Sequence, residues 1–125
     1  MNKDLVFLKL GGSLITDKNT AHHARLEVLN RLAEEIAASL RERPGLKLLL
    51  GHGSGSFGHI PAKKYATREG VKTPGQWRGF AEVWHEACAL NSIVMTALHR
   101  CGIPAVAFSP CSQVLTSSRS IINWD

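Results

Sequence analysis

Two short stretches hold residues whose types and spacing can do chemistry. The first is KLGGSLITDK, residues 9 to 18, a Gly-Gly pair flanked by Lys9 and Lys18. The second is GHGSGSFGH, residues 51 to 59, with Gly51, Gly53, Gly55 and Gly58 and the histidines His52 and His59. Glycine lets backbone N–H groups approach an anion closely, and a helix start beyond the loop adds a favourable field of about 0.3–1 kcal/mol per charge. Lysines and a loop histidine bring cations and hydrogen bonds to the same place. Two such cradles side by side suit two phosphates, which is what phosphoryl transfer from a donor to a phosphorylated acceptor requires. Charge builds on the equatorial oxygens of the transferred group, so catalysis is mainly positioning plus cations aimed at those oxygens.

Each of these residues also has a plainer reading. Lys9 interrupts an apolar strand and snorkels, or it reaches an anion; Lys18 is solvated, or it closes the first cradle. Their joint placement around Gly11-Gly12 favours the anion. His52 directly follows an apolar run and supports its loop, whereas His59 can hydrogen-bond a phosphate. Asn91 lies on an apolar helical stripe, where a hydrogen-bonded core amide is favoured over a substrate contact. His22, His23, His85 and His99 have no ligand spacing, so no metal site is assigned. Gly53, Gly55 and Gly58 match G-x-G-x-x-G, but no strand follows until Ile103, and Glu82 and Glu86 fall within a helix. That excludes a dinucleotide site.

The elements that position these loops follow from periodicity. DLVFLKL, residues 4 to 10, is a near-continuous apolar run and predicts a strand covered on both faces. Leu26, Leu29, Leu32, Ala33, Ile36 and Leu40 recur at helical steps and predict an amphipathic helix from about His23 to Glu42, ended by Pro44-Gly45. LKLLL, residues 46 to 50, is a second buried strand. Residues 61 to 74 are basic and irregular, and Thr73-Pro74 opens a long helix along Phe80, Trp84, Ala87, Asn91, Val94, Leu98 and Cys101. Trp77, Phe80 and Trp84 are core, or they line an apolar channel. Gly102 ends this helix, IPAVAF predicts a third strand, and SSRSIINWD turns from a polar loop into a strand-like run. The β-α-β-loop-α-β order predicts a three-layer α-β-α domain with a mainly parallel sheet, whose strand ends gather the two loops along one edge.

Composition narrows the function classes. The chain has 125 residues, enough for one domain and short for a two-domain enzyme. Fifteen Lys and Arg against ten Asp and Glu give +5, but the basic residues are scattered, which favours small anionic substrates over nucleic acid. Three cysteines without C-x-x-C spacing build no disulfide framework, and Cys88 and Cys101 fit an apolar helical pattern as small hydrophobes. No leader-like segment and no apolar stretch of 18 residues is present. The expectation is a reduced, cytoplasmic protein without a membrane span.

LKLGGSLITDK followed by GHGSGSFGH resembles the amino acid kinase superfamily. The Ser-Phe-Gly-His run at 56–59 and the stretch from Gly79 to Pro110 make it similar to the isopentenyl phosphate kinase family within it. The resemblance covers essentially the whole chain. It implies transfer of the γ-phosphate of ATP, with Mg²⁺, to isopentenyl phosphate, giving isopentenyl diphosphate for isoprenoid synthesis, in a homodimer. It implies catalytic roles for Lys9, Lys18 and His59, with Lys18 as transition-state stabiliser. ATP phosphates would lie on Lys9, Leu10, Gly11, Gly12, Ser13 and Gly55, and the acceptor phosphate on Ser54 (through its N–H), Gly58 and His59. Ser54 stands where such relatives often have Gly or Ala, and Gly51 where a β-branched residue is usual. Members run to about twice this length, so residues 1–125 are expected to be the N-terminal, acceptor-binding and phosphate-loop part, without the nucleotide-binding half. The alternatives are a related kinase acting on a phosphonate such as fosfomycin or on an acyl carboxylate, or a non-catalytic phosphate-binding half-domain.

Overall fold

The computed structural model describes residues 5–118 and 120–124. Strand β1 (Leu5–Leu10) leads into a single helical turn α1 (Gly12–Ile15). Helix α2 (Leu26–Glu42) returns to strand β2 (Lys47–His52), which is followed by α3 (Gly55–Lys64) and the long α4 (Pro74–Arg100). A hairpin of β3 (Val114–Ser117) and β4 (Ser120–Trp124) completes the described chain. The architecture is α/β with a parallel sheet, as the alternation of elements requires.

β1 and β2 pair in parallel from Leu5 opposite Lys47 to Leu10 opposite His52. Paired residues share a face and alternate along the strand, so Val6, Leu8 and Leu10 lie with Leu48, Leu50 and His52. This face carries the core, where Leu10 joins Leu29 and Ile36 of α2, Phe57 of α3, and Leu90 and Leu98 of α4, with Leu48 and Leu50 packed against them. The opposite face presents Leu5, Phe7 and Leu49, all more than half exposed. The expected cover on both faces of β1 is not found among the described residues: on the core side only Leu10 is buried, with Val6 and Leu8 still 40% and 38% exposed, and β2, expected to be buried, alternates between exposed and half-buried residues, because α2 and α4 gather at the loop end of the strands.

Helix α2 begins at Leu26 and not at His23. Residues 16–24 are first closed into a loop by a bridge between Thr16 and Ala24 and by the Asp17 N–H donating to the His23 carbonyl (3.0 Å). The segment read as irregular from residue 61 begins inside a helix: α3 runs through Gly58 and Pro61. Propensity argues against it, but Phe57 is 3 % exposed in the core and α3 packs along α4, so burial overrides the local preference. Tyr65, just beyond α3, lies so close to Gly79 of α4 that a β-carbon at 79 would meet its ring.

Helix α4 starts as its sequence predicts. The Gln76 N–H donates to Thr73 Oγ1 (3.3 Å), and Gln76 Oε1 accepts the Thr73 N–H (3.1 Å), a complete capping box. Its apolar stripe is buried at Leu90, Val94 and Leu98, but Phe80 and Trp84 are half exposed and Cys88 is exposed rather than packed. The third strand expected at 103–108 does not form. The segment has no ladder partner among the described residues; the His99 ring nitrogen Nε2 instead donates to the Ala105 carbonyl (2.8 Å). The strand-like run near the end is present as β4, paired antiparallel with β3, which the sequence did not announce.

Candidate phosphate-binding site

The two glycine loops leave β1 and β2 side by side and touch through their backbones. Register continues one step past the strands, with the Gly53 N–H donating to the Leu10 carbonyl (3.0 Å). A β-carbon on Gly12 would lie 2.5 Å from the Gly55 nitrogen, and one on Gly53 would lie 2.8 Å from the Gly12 nitrogen. Only hydrogen fits at this crossing. Gly55 also holds φ at +49°, the left-handed region, where a β-carbon would run into Thr16. That turn starts α3, a helix of ten residues, at the junction of the loops.

Thr16 fastens the crossing. It is fully buried; its hydroxyl donates to the Gly12 carbonyl (2.8 Å) and accepts the Ser56 N–H (3.1 Å). The first bond follows a local pattern, a threonine returning to the carbonyl four residues back. The second spans 40 residues and has no local signature, so sequence reasoning passed over Thr16. Ser56 Oγ beside it is buried with no hydrogen-bond partner among the described residues.

His52 and Asn91 tie the second loop to α4. The His52 ring bridges two acceptors, with Nδ1 3.1 Å from the Gly53 carbonyl oxygen and Nε2 3.0 Å from Asn91 Oδ1. Both residues therefore shape the loop, in line with the supporting role for His52 and the hydrogen-bonded amide for Asn91.

Among the site residues read from the sequence, the structure brings Gly11-Gly12 against Gly53–Gly55. Leu10 turns its side chain into the core and commits its carbonyl to Gly53. Lys9 is exposed at the end of β1, on the open face opposite Gly51, whose missing side chain leaves clear space. Ser13 is exposed in α1, and Lys18 is exposed two residues beyond Thr16. Ser54 caps α3 with helical backbone and no side-chain capping bond; a β-carbon at Gly58 would run into its hydroxyl, so these two are packed together. His59 is exposed four residues after Gly55, on the same side of α3. Lys9, Lys18 and His59 make no hydrogen bond or ion pair with protein among the described residues, so all three side chains are uncommitted. Lys64, by contrast, lies 4.6 Å over the Tyr65 ring and 3.7 Å from Glu82, and its pKa is raised, mostly by Tyr65 and then by the Glu82 charge. No group of three or more His, Cys, Asp or Glu among the described residues is placed to hold a metal, and no described helix is long and apolar enough to cross a membrane.

Residues 4–121, nearly the full length, match the sequence model of the amino acid kinase family. The chain belongs to this family. Isopentenyl phosphate kinase of Methanocaldococcus jannaschii is 36% identical over 125 residues, covering 95% of this chain and 48% of that protein. The isopentenyl phosphate kinase of Arabidopsis thaliana is 29% identical over 153 residues, covering 94% and 46%. A solved isopentenyl phosphate kinase superposes with a TM-score of 0.85 at 34% identity, over 98% of this chain and 50% of that one. The product complex of the Thermoplasma acidophilum enzyme superposes with a TM-score of 0.79 at 27% identity. This amino acid kinase chain thus spans about half the length of the curated relatives it matches.

Proposed function

We propose that this chain supplies the phosphate loops and acceptor site of a kinase that transfers the γ-phosphate of ATP to isopentenyl phosphate, giving isopentenyl diphosphate. The observation that carries the reading is the backbone crossing of Gly12 with Gly53 and Gly55, made at the N-terminus of α3, with Lys9, Lys18 and His59 uncommitted on the segments that form it. The names of the relatives support the choice of acceptor. In this reading the N–H groups from Leu10 to Ser13 and of Gly55 hold the ATP phosphates, with Lys9 and Lys18 neutralising the transferred group. The N–H of Ser54, the Gly58 turn and His59 hold the acceptor phosphate. Residues 1–125 are then the N-terminal part of the family domain, working as a cytoplasmic homodimer on small molecules. Mg²⁺ belongs to such a reaction, but the described residues furnish no ligand cluster for it, so no step is assigned to the metal here.

The test is a titration of the chain with isopentenyl phosphate, read from the ring resonances of His59 and the amides of Gly53 to Gly58. Saturable shifts at both are expected, with affinity at least tenfold weaker in His59→Ala; unchanged affinity in that variant removes His59 from the site. Stronger binding of fosfomycin or of an acyl carboxylate than of isopentenyl phosphate would move the assignment to a related kinase.

A further inference from the structure

His22 is used by no part of the phosphate reading, yet its placement is unusual. It stands at the tip of the 17–23 loop with φ at 55°, a left-handed backbone that a side-chain-bearing residue rarely adopts. Its Nδ1 lies 2.6 Å from Glu86 Oε2 on α4, and its ring meets Phe57 edge-on, with centroids 5.7 Å apart and planes at 78°. Phe57 is buried and the Glu86 side chain is 15% exposed, while that of His22 is 59% exposed. A ring so open to solvent contributes little to the core, so the strained backbone is held for the contact itself.

That contact has a geometric consequence for Lys18. Two residues before it, Thr16 is bonded to Ser56; four residues after it, His22 touches Phe57. Lys18 is bracketed by attachments to two consecutive residues of the second glycine loop. Asp17 stiffens the span between, its carboxylate accepting the Asn19 N–H (2.8 Å).

We propose that His22 is a positioning residue: through Glu86 and Phe57 it straps the loop carrying Lys18 to α3 and α4, so that the lysine ammonium is presented to the phosphates held by the glycine loops. The proposal rests on the reading of Lys18 as a phosphate-facing cation, and two measurements keep the two apart. Trypsin cleavage after Lys18 reads the strap alone. His22→Ala and Glu86→Ala should each accelerate it at least threefold, and the double variant should be no faster than the faster single one. Cleavage after Arg68 should not change, nor should Glu82→Gln, which breaks only the neighbouring pair with Lys64, accelerate cleavage at Lys18. Unchanged cleavage in both single variants, or acceleration that multiplies in the double, overturns the strap.

Titration with inorganic tripolyphosphate, followed at the Gly53 and Gly55 amides, then reads the positioning. Lys18→Gln should weaken binding about tenfold, His22→Ala by at least threefold, and His22→Gln, which retains an N–H that reaches Glu86, should recover most of that loss. If Lys18→Gln binds as the parent does, the phosphate role of Lys18 falls and the positioning proposal falls with it. If Lys18→Gln weakens binding and His22→Ala does not, the positioning proposal alone is wrong.

Discussion

Replacing Thr16 with valine tests the joint between the two glycine loops with almost no change of shape. Both side chains are β-branched, and Thr16 has extended backbone (φ −130°, ψ 154°), which suits either. The substitution removes the hydroxyl that donates to the Gly12 carbonyl and accepts the Ser56 N–H. The Gly12 carbonyl keeps the Thr16 backbone N–H at 3.0 Å and is not orphaned. The Ser56 N–H, in contrast, loses its acceptor inside a site with no solvent exposure at residue 16. One lost bond removes about 0.5–1.5 kcal/mol and one stranded buried donor costs about 1–3 kcal/mol, so a loss of roughly 2–3 kcal/mol is expected. Thr16→Ser keeps the hydroxyl and deletes one methyl, a loss of about 1 kcal/mol. Urea denaturation should therefore place valine well below serine, with a midpoint shift of about 0.7–3 M for valine, given slopes of about 1–3 kcal/mol per M. Hydrogen exchange at the Ser56 amide reads the bond directly and should quicken in valine, not in serine. A valine variant as stable as the serine one would refute the claim that this hydroxyl joins the loops.

Three further substitutions test the loop crossing and the core beneath it. Gly55→Ala combines left-handed backbone with a collision against Thr16 and should lose about 2–4 kcal/mol in thermal or urea unfolding. Gly51→Ala, where a new β-carbon meets nothing, should change stability by no more than about 0.5–1 kcal/mol; equal effects at the two glycines would contradict the crossing. Leu90→Ala, at a fully buried position of α4 beneath the sheet, should lose about 2–5 kcal/mol while leaving tripolyphosphate binding of the folded fraction intact, measured by the same amide titration.

Local chemistry and periodicity, present in the sequence, determined a good deal of this protein. The spacing of Leu29, Ala33 and Ile36 made α2, Thr73 with Gln76 started α4, and the glycines after two apolar runs marked both loops, because each signal is complete within a few neighbouring residues. Tertiary structure decided what depends on partners far along the chain. Gly58 and Pro61 argue locally against a helix, and α3 forms because Phe57 is buried against the core. IPAVAF has the composition of a strand but has no ladder partner among the described residues, since β-structure needs a neighbour that composition cannot supply. That β1 is buried only at Leu10 was invisible for the same reason: an apolar run shows what a strand can bury, not which helices arrive to bury it. At the site, the glycines were legible as places where backbone must come close to something. That the something includes the other loop, with Thr16 bonded to Ser56 and His22 resting on Phe57, required the fold, because those contacts join residues roughly 35 to 40 positions apart.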